Sequence, residues 1–288
     1  MEELERRGLL GLVGISALAA ITAKASAGPL NPPSGAVAPS GRTTDEIFNK
    51  IPSGGAGDGR TAIFGGTFPV SITTSGSYVL TGWVNVGPTS VGISINADNV
   101  TLDLNGYAVG SSSATGTGIV VNSGLRGVTI RNGHVFGFAS GVSMSSNNSG
   151  VVLEDLEIRD ARLSGIVQSG NGTRELIIRR CSIVGTGSTT FATDGNLTIA
   201  GISVSASSCL IEDCLISRLS YNGNGVATLR GILATGGINS LVRRCTFTSD
   251  TNVAGTGIAL VGSWIRRDNT VFAATTPYSG GTDGGGNV

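Results

Sequence analysis

The residues best equipped for chemistry gather in two short stretches. In FATDGNL (191–197), Asp194 offers a carboxylate that can give or take a proton, and Asn196 follows with an amide. In YNGNGVATLR (221–230), Tyr221, Asn222, Asn224 and Arg230 add a phenol, two amides and a guanidinium. Such groups hold sugar hydroxyls, so the set suits the binding or cleavage of a polysaccharide. His134 is the single histidine, in RNGHVFGF (131–138), and reads as an outward turn residue, because an imidazole without an orienting partner seldom acts as a general base. Lysine is absent after Lys50, which removes an ammonium base or charge neutraliser. The four cysteines form no C-x-x-C pair and have one histidine to join them, so neither a metal nor any other cofactor is expected.

The elements that must position these residues show themselves as a repeat. A glycine followed by alternating apolar residues recurs as GISIN (92), GIVVN (118), GVSMS (141), GIVQS (165), GISVS (201), GILAT (231) and GIALV (257). A second alternating run follows each, such as VTLDLN, VTIRNG, LIIRRC and CLIEDC, and then a third, such as LEIRD, CSIVG and CTFTS. Three strands in about 23 residues, repeated seven times, is the arithmetic of a parallel β-helix. The two longest periods carry insertions at 185–200 and 219–230, on adjacent coils and at the same point of the coil. The two insertions are therefore expected to rise side by side, with Asp194, Asn196, Tyr221, Asn222, Asn224 and Arg230 lining a groove between them.

Stacking the coils puts equivalent residues in columns about 4.8 Å apart. One outward column reads Asp103, Arg131, Glu154, Arg179, Glu212, Arg243, Arg266, and its neighbour reads Asn132, Asp155, Arg180, Asp213, Arg244, Arg267. The alternation of sign is what a ladder of stacked side chains requires. Cys181, Cys214 and Cys245 share one inward column and Cys209 occupies another inward place, predicting a buried thiol ladder. Two places before the charges, Val152, Ile177, Leu210, Leu241 and Trp264 form an outward apolar stripe, which is expected to be covered either by residues 28–51 folding back or, the favoured reading, by a second copy in a homo-oligomer. The outward places of the Gly-led strands are Ser94, Val120, Ser143, Val167, Ser203, Leu233 and Ala259, none of which can act as an acid or base.

GSYVLTG (76–82) and ISINADNVTLDLNGY (93–107) resemble the first coils of right-handed parallel β-helix proteins of the pectate-lyase-like superfamily, over roughly residues 72–272. The resemblance implies fold, not activity, since that superfamily holds lyases, hydrolases, epimerases and adhesins. FATDGNL also resembles the Asn-Thr-Asp strip of polygalacturonases at Thr193 and Asp194, but the paired aspartates, Gly-His-Gly and Arg-x-Lys segments of those enzymes have no counterpart.

Glycine supplies 46 of the 288 residues and charged residues 13%, a composition of short strands and tight turns. A net charge of zero argues against a nucleic-acid partner or an anionic membrane. Residues 1–27 carry Arg6-Arg7 before Leu9-Leu10, an apolar run and Ala25-Ser26-Ala27, the pattern of a cleavable export signal resembling the twin-arginine type. The expected order is signal 1–27, Pro-rich linker 28–42, capping segment 43–71 with a short helix at 43–51, β-helix 72–272 and Gly-rich tail 273–288. The fold expected is an all-β, right-handed, single-stranded parallel β-helix of about seven coils with a short N-terminal capping helix. The function expected is that of an exported scaffold, periplasmic, cell-surface or extracellular, free of the membrane once its signal is removed. It binds a partner or a polysaccharide. The alternative is a polysaccharide lyase or glycoside hydrolase working through Asp194 in the groove between the insertions.

Overall fold

The computed structural model describes residues 59–64, 69–88, 91–187, 197–221, 227–248 and 253–288. The expected export signal, Pro-rich linker and capping helix at 43–51 lie outside the described residues. The chain is a right-handed parallel β-helix, and every pairing between its strands is parallel. The first face stacks Val91–Ile95, Thr117–Val121, Ser140–Met144, Ser164–Gln168 and Leu197–Val204. Ala227–Arg243 and Val253–Arg267 then run on from the first face into the second. The second face stacks Gly76–Leu80, Val100–Asp103, Thr129–Phe136, Val152–Arg159, Ile177–Arg179 and Leu210–Glu212. The third stacks Val84–Val86, Ala108–Ser111, the later parts of Thr129–Phe136 and Val152–Arg159, then Ser182–Val184, Leu215–Ser217 and Thr246–Thr248.

The repeated glycine has a steric cause. Each one lies in a first-face strand where the inward residue of the third face leans across the narrow core. A methyl group at Gly165 would stand 2.5 Å from Ile183 Cγ2 and 2.7 Å from the carbonyl oxygen of Gly201, the same residue one coil on. Gly141 meets Ile158 and Gly165, and Gly201 meets Ile216 and Gly231, in the same way. The inward columns are correspondingly dry: Ile93, Ile119, Val142, Ile166 and Ile202 on the first face, and Val109, Val135, Ile158, Ile183 and Ile216 on the third, are all fully buried.

Between the second and third faces the chain turns on a single residue with left-handed dihedrals. Asn132, Asp155, Arg180, Asp213, Arg244 and Asp268 hold φ between 50 and 61°. Asn and Asp tolerate this region; arginine does so at a cost, and here each arginine is held by its neighbours. Arg180 forks onto Asp155 (Nε to Oδ1, 2.7 Å) and reaches Glu154 (3.1 Å), and Arg244 repeats the pattern on Asp213 (2.6 Å) and Glu212 (2.9 Å). The Arg180 hydrogen bond holds Asp155 below the usual carboxylate range, and Arg244 does the same to Asp213. The ladder itself pairs Asp103, Arg131, Glu154, Arg179, Glu212 and Arg243 in register, with Arg179 on Glu154 at 2.6 Å and Arg243 on Glu212 at 2.7 Å.

The last coil departs from the sequence alignment by one place. The corner before Trp264 is two residues shorter than the one before it, and the pairing runs Ser240 with Trp264, Leu241 with Ile265 and Arg243 with Arg267. Trp264 is therefore not a member of the outward apolar stripe: its indole is fully buried, and Ile265, 44% exposed, takes the outward place beside half-buried Val152, Ile177, Leu210 and Leu241. The shift places the indole, the larger apolar group, in the core and leaves the isoleucine outside. Arg266 consequently leaves the charge column and enters an inward one opposite Val242. It can stand there because the coil stack ends: its guanidinium lies 5.4 Å over the Tyr278 ring and donates to the Gly280 carbonyl.

Residues 273–288, read from composition as a Gly-rich tail, form a further turn that closes this end. Ala274–Ser279 and Thr282–Asp283 pair with Val253–Arg267. Asn269 takes the place of the cysteines in their column, donates to Val242 O (3.0 Å) and Asn287 Oδ1 (2.9 Å), and accepts from Cys245 N–H (3.0 Å). The four cysteines are free and buried. Burial pushes the Cys209 thiol well above the usual range, which keeps it an unreactive core group.

Candidate functional site

The groove between the two insertions cannot be assembled from the described residues, since Asp194, Asn196, Asn222 and Asn224 lie outside them. Tyr221 is half-buried and packs on Ile199 and Leu229, a small apolar cluster apart from the main core. Arg230 lies within the strand Ala227–Arg243, on the first face, where its guanidinium donates to Thr256 Oγ1 on the next coil. The outward column of the first face is as expected, Ser94, Val120, Ser143, Val167, Ser203, Leu233 and Ala259 in register, and carries no titratable group.

The third face presents a different set. Two outward columns run side by side here. In one, Ala108 pairs with His134 and His134 with Glu157; in the other, Asn85 pairs with Gly110, Gly110 with Phe136 and Phe136 with Arg159. Trp83 precedes them on the first of these coils and is 69% exposed. Its ring meets that of Phe136 edge to face, 6.5 Å between centroids at 73°. The two aromatics stand two coils apart, and they touch because the coil between them offers nothing larger than Ala108 and Gly110. The Phe136 ring lies over Gly110, so that a methyl group there would overlap it. The platform edges a shallow cavity of about 210 Å³ that Asn85, Ser111 and Ser112 also line.

Beside the platform His134, expected to be an outward turn residue without an orienting partner, has one in Glu157. Its Nδ1 lies 2.8 Å from Glu157 Oε2, and Arg159 Nε lies 3.4 Å from Glu157 Oε1. A carboxylate on Nδ1 fixes the ring and leaves Nε2 as the working nitrogen. His134 and Glu157 keep side-chain exposures of 41% and 36%, so a ligand can reach both. His134 is thus an outward strand residue in a hydrogen-bonded pair. Glu157 lies one 23-residue period after His134, the same offset that joins Arg131 to Glu154, and that offset was the signal by which the pair could have been found. Among the described residues no group of three or more His, Cys, Asp or Glu side chains could hold a metal ion.

No family model and no curated protein matches the chain. Among solved structures it is similar to an alginate lyase from Paenibacillus sp. str. FPU-7, at 13% identity and a TM-score of 0.38 over 76% of this chain and 98% of that one. It is also similar to the catalytic domain of a GH87 alpha-1,3-glucanase in complex with tetrasaccharides, at 13% identity and a TM-score of 0.31 over 90% of this chain and 71% of that one. Likeness of this depth decides nothing about activity, which must be read from the chain's own residues.

Proposed function

We propose that the protein, an exported β-helix of the pectate-lyase-like kind, binds a polysaccharide across its third face. The observation that carries this reading is the platform of Trp83 and Phe136, an aromatic surface held open to solvent on a rigid sheet. Large exposed aromatics mark interaction sites, and a flat ring suits the apolar C–H face of a pyranose. Asn85, Ser112 and His134 stand around it to take the sugar's hydroxyls. The half-buried stripe of Val152, Ile177, Leu210, Leu241 and Ile265 is proposed as the face on which two copies meet, and light scattering that finds a monomer at high concentration contradicts that part.

The enzymatic alternative gains a better seat than Asp194. His134 oriented by Glu157 is a general-base arrangement, and Arg159 supplies a cation beside it. One experiment separates the two readings: titration of the full chain with neutral and acidic oligosaccharides, with the products sized afterwards. The platform reading expects binding that Trp83→Ala weakens about tenfold or more, the usual loss of an aromatic anchor. Intact oligosaccharide after incubation supports a binding protein. Shortened products that disappear in His134→Gln support the enzyme, and unaltered binding in Trp83→Ala removes the site.

A further inference from the structure

The second face carries a pattern that fixes how two copies can meet on it. Four successive coils stack in register there, and each sets one apolar side chain and one charge outward: Val152 with Glu154, Ile177 with Arg179, Leu210 with Glu212 and Leu241 with Arg243. The left-handed corner beside them adds Asp155, Arg180, Asp213 and Arg244 in the same order. Along the stack both charged columns therefore run minus, plus, minus, plus, while the apolar column is unbroken and half-buried.

Reversing such a row end for end inverts every sign. A two-fold axis lying between two facing copies and parallel to their strands runs the stacks in opposite directions and keeps each column against its own counterpart. Set midway between the coils of Ile177 and Leu210, it lays Ile177 on Leu210 and Val152 on Leu241 of the second copy. The same operation sets Arg179 opposite Glu212, Glu154 opposite Arg243, Arg180 opposite Asp213 and Asp155 opposite Arg244. Every charge of the four coils then faces its opposite. An axis along the stack instead levels the coils and puts like on like at every rung. Moving the antiparallel axis onto a rung does the same, and a parallel pair offset by one coil does not close on itself. One coil farther out Thr129 faces Ile265 and Arg131 faces Arg267; each of these arginines already holds an acid of its own chain, Asp103 and Asp268, both at 3.3 Å, and the match ends there.

We infer that the protein forms an antiparallel two-fold dimer through its second face, centred between the coils of Ile177 and Leu210. This rests on the reading that the apolar stripe is where copies meet, and adds the orientation and register of the partner. The apolar column supplies the attraction. The charges are already paired within their own chain, so they select the arrangement more than they strengthen it. The platform of Trp83 and Phe136 lies on another face and is left free.

The test is cross-linking of the full chain with a short bis-maleimide, read as covalent dimer on a denaturing gel, beside light scattering of the same samples. The native thiols are buried, so the wild type serves as the blank. Val152→Cys and Leu241→Cys are made singly and together. Thr129→Cys and Ile265→Cys form a second set, nearer the solvent and able to carry the test if a circular dichroism melt finds the first set unfolded. Within one chain the members of the first pair stand three strand spacings apart, about 14 Å, and those of the second about 24 Å. In the antiparallel dimer each residue is at least as far from its own copy, yet faces the other member of its pair across the interface. Both double variants are therefore expected to cross-link about tenfold faster or more than any single variant. Single variants that cross-link as fast as the doubles set the coils level, which overturns the antiparallel axis and leaves the stripe as the meeting face. A dimer by light scattering that no variant cross-links, or a wild type that stays monomeric at high concentration, overturns the stripe and the axis together.

Discussion

Replacing Gly165 by alanine is expected to destabilise the β-helix by about 3 kcal/mol, at or above the upper end of ordinary overpacking. The added methyl would stand 2.5 Å from Ile183 Cγ2 and 2.7 Å from the Gly201 carbonyl oxygen. The side chain of Ile183 could turn away, but the carbonyl belongs to the strand that pairs with this one, so relief requires the two coils to part. Gly87→Ala serves as the control, because a methyl there meets nothing within 4 Å. Urea unfolding of the two variants makes the comparison, and equal midpoints contradict the steric account of the repeat.

Arg179→Glu is expected to cost about 2–4 kcal/mol. This is near the lower end for breaking a buried ion pair, because the arginine itself is 39% exposed. The carboxylates it separates are the less hydrated partners: the side chains of Glu154 and Glu212 are 12% and 11% exposed. A glutamate at 179 would stack three acids in successive rungs about 4.8 Å apart, with Arg180 left to serve Glu154. Arg179→Met removes the pairing without adding a third acid, and is expected to cost about half as much. High salt should narrow the gap between the two variants. If Met and Glu at 179 prove equally destabilising, the stacked carboxylates are not the cause.

Both of these features were legible in the sequence, because they rest on periodicity. The glycine column and the alternation of charge each survive the addition of one period, and a parallel β-helix turns one period into one strand spacing. The slip at Trp264 was hidden for the same reason: two residues are missing from the preceding corner, and SWIRR matches LVRRC by letters while the buried indole dictates another register. Asp268 in the left-handed corner and Asn269 in the cysteine column were the clues, since Asp suits that dihedral better than arginine does. The candidate site was less legible. Glu157 and His134 are linked by the same period that links the ladder, but a search for catalytic motifs looks for neighbours in the chain rather than neighbours in the stack. The meeting of Trp83 and Phe136 depends on the small residues of the coil between them, which no single strand reveals.

The central claim, a sugar seated on Trp83, has a direct optical reading. The chain has two tryptophans, one exposed and one fully buried, so iodide should quench the fluorescence of Trp83 and spare that of Trp264. With the full chain held at saturating oligosaccharide, the account predicts that the quenchable component is lost while the Trp264 emission is unchanged. If Trp83 stays fully open to iodide in the presence of an oligosaccharide shown by calorimetry to be bound, the sugar lies elsewhere and the third-face site is wrong.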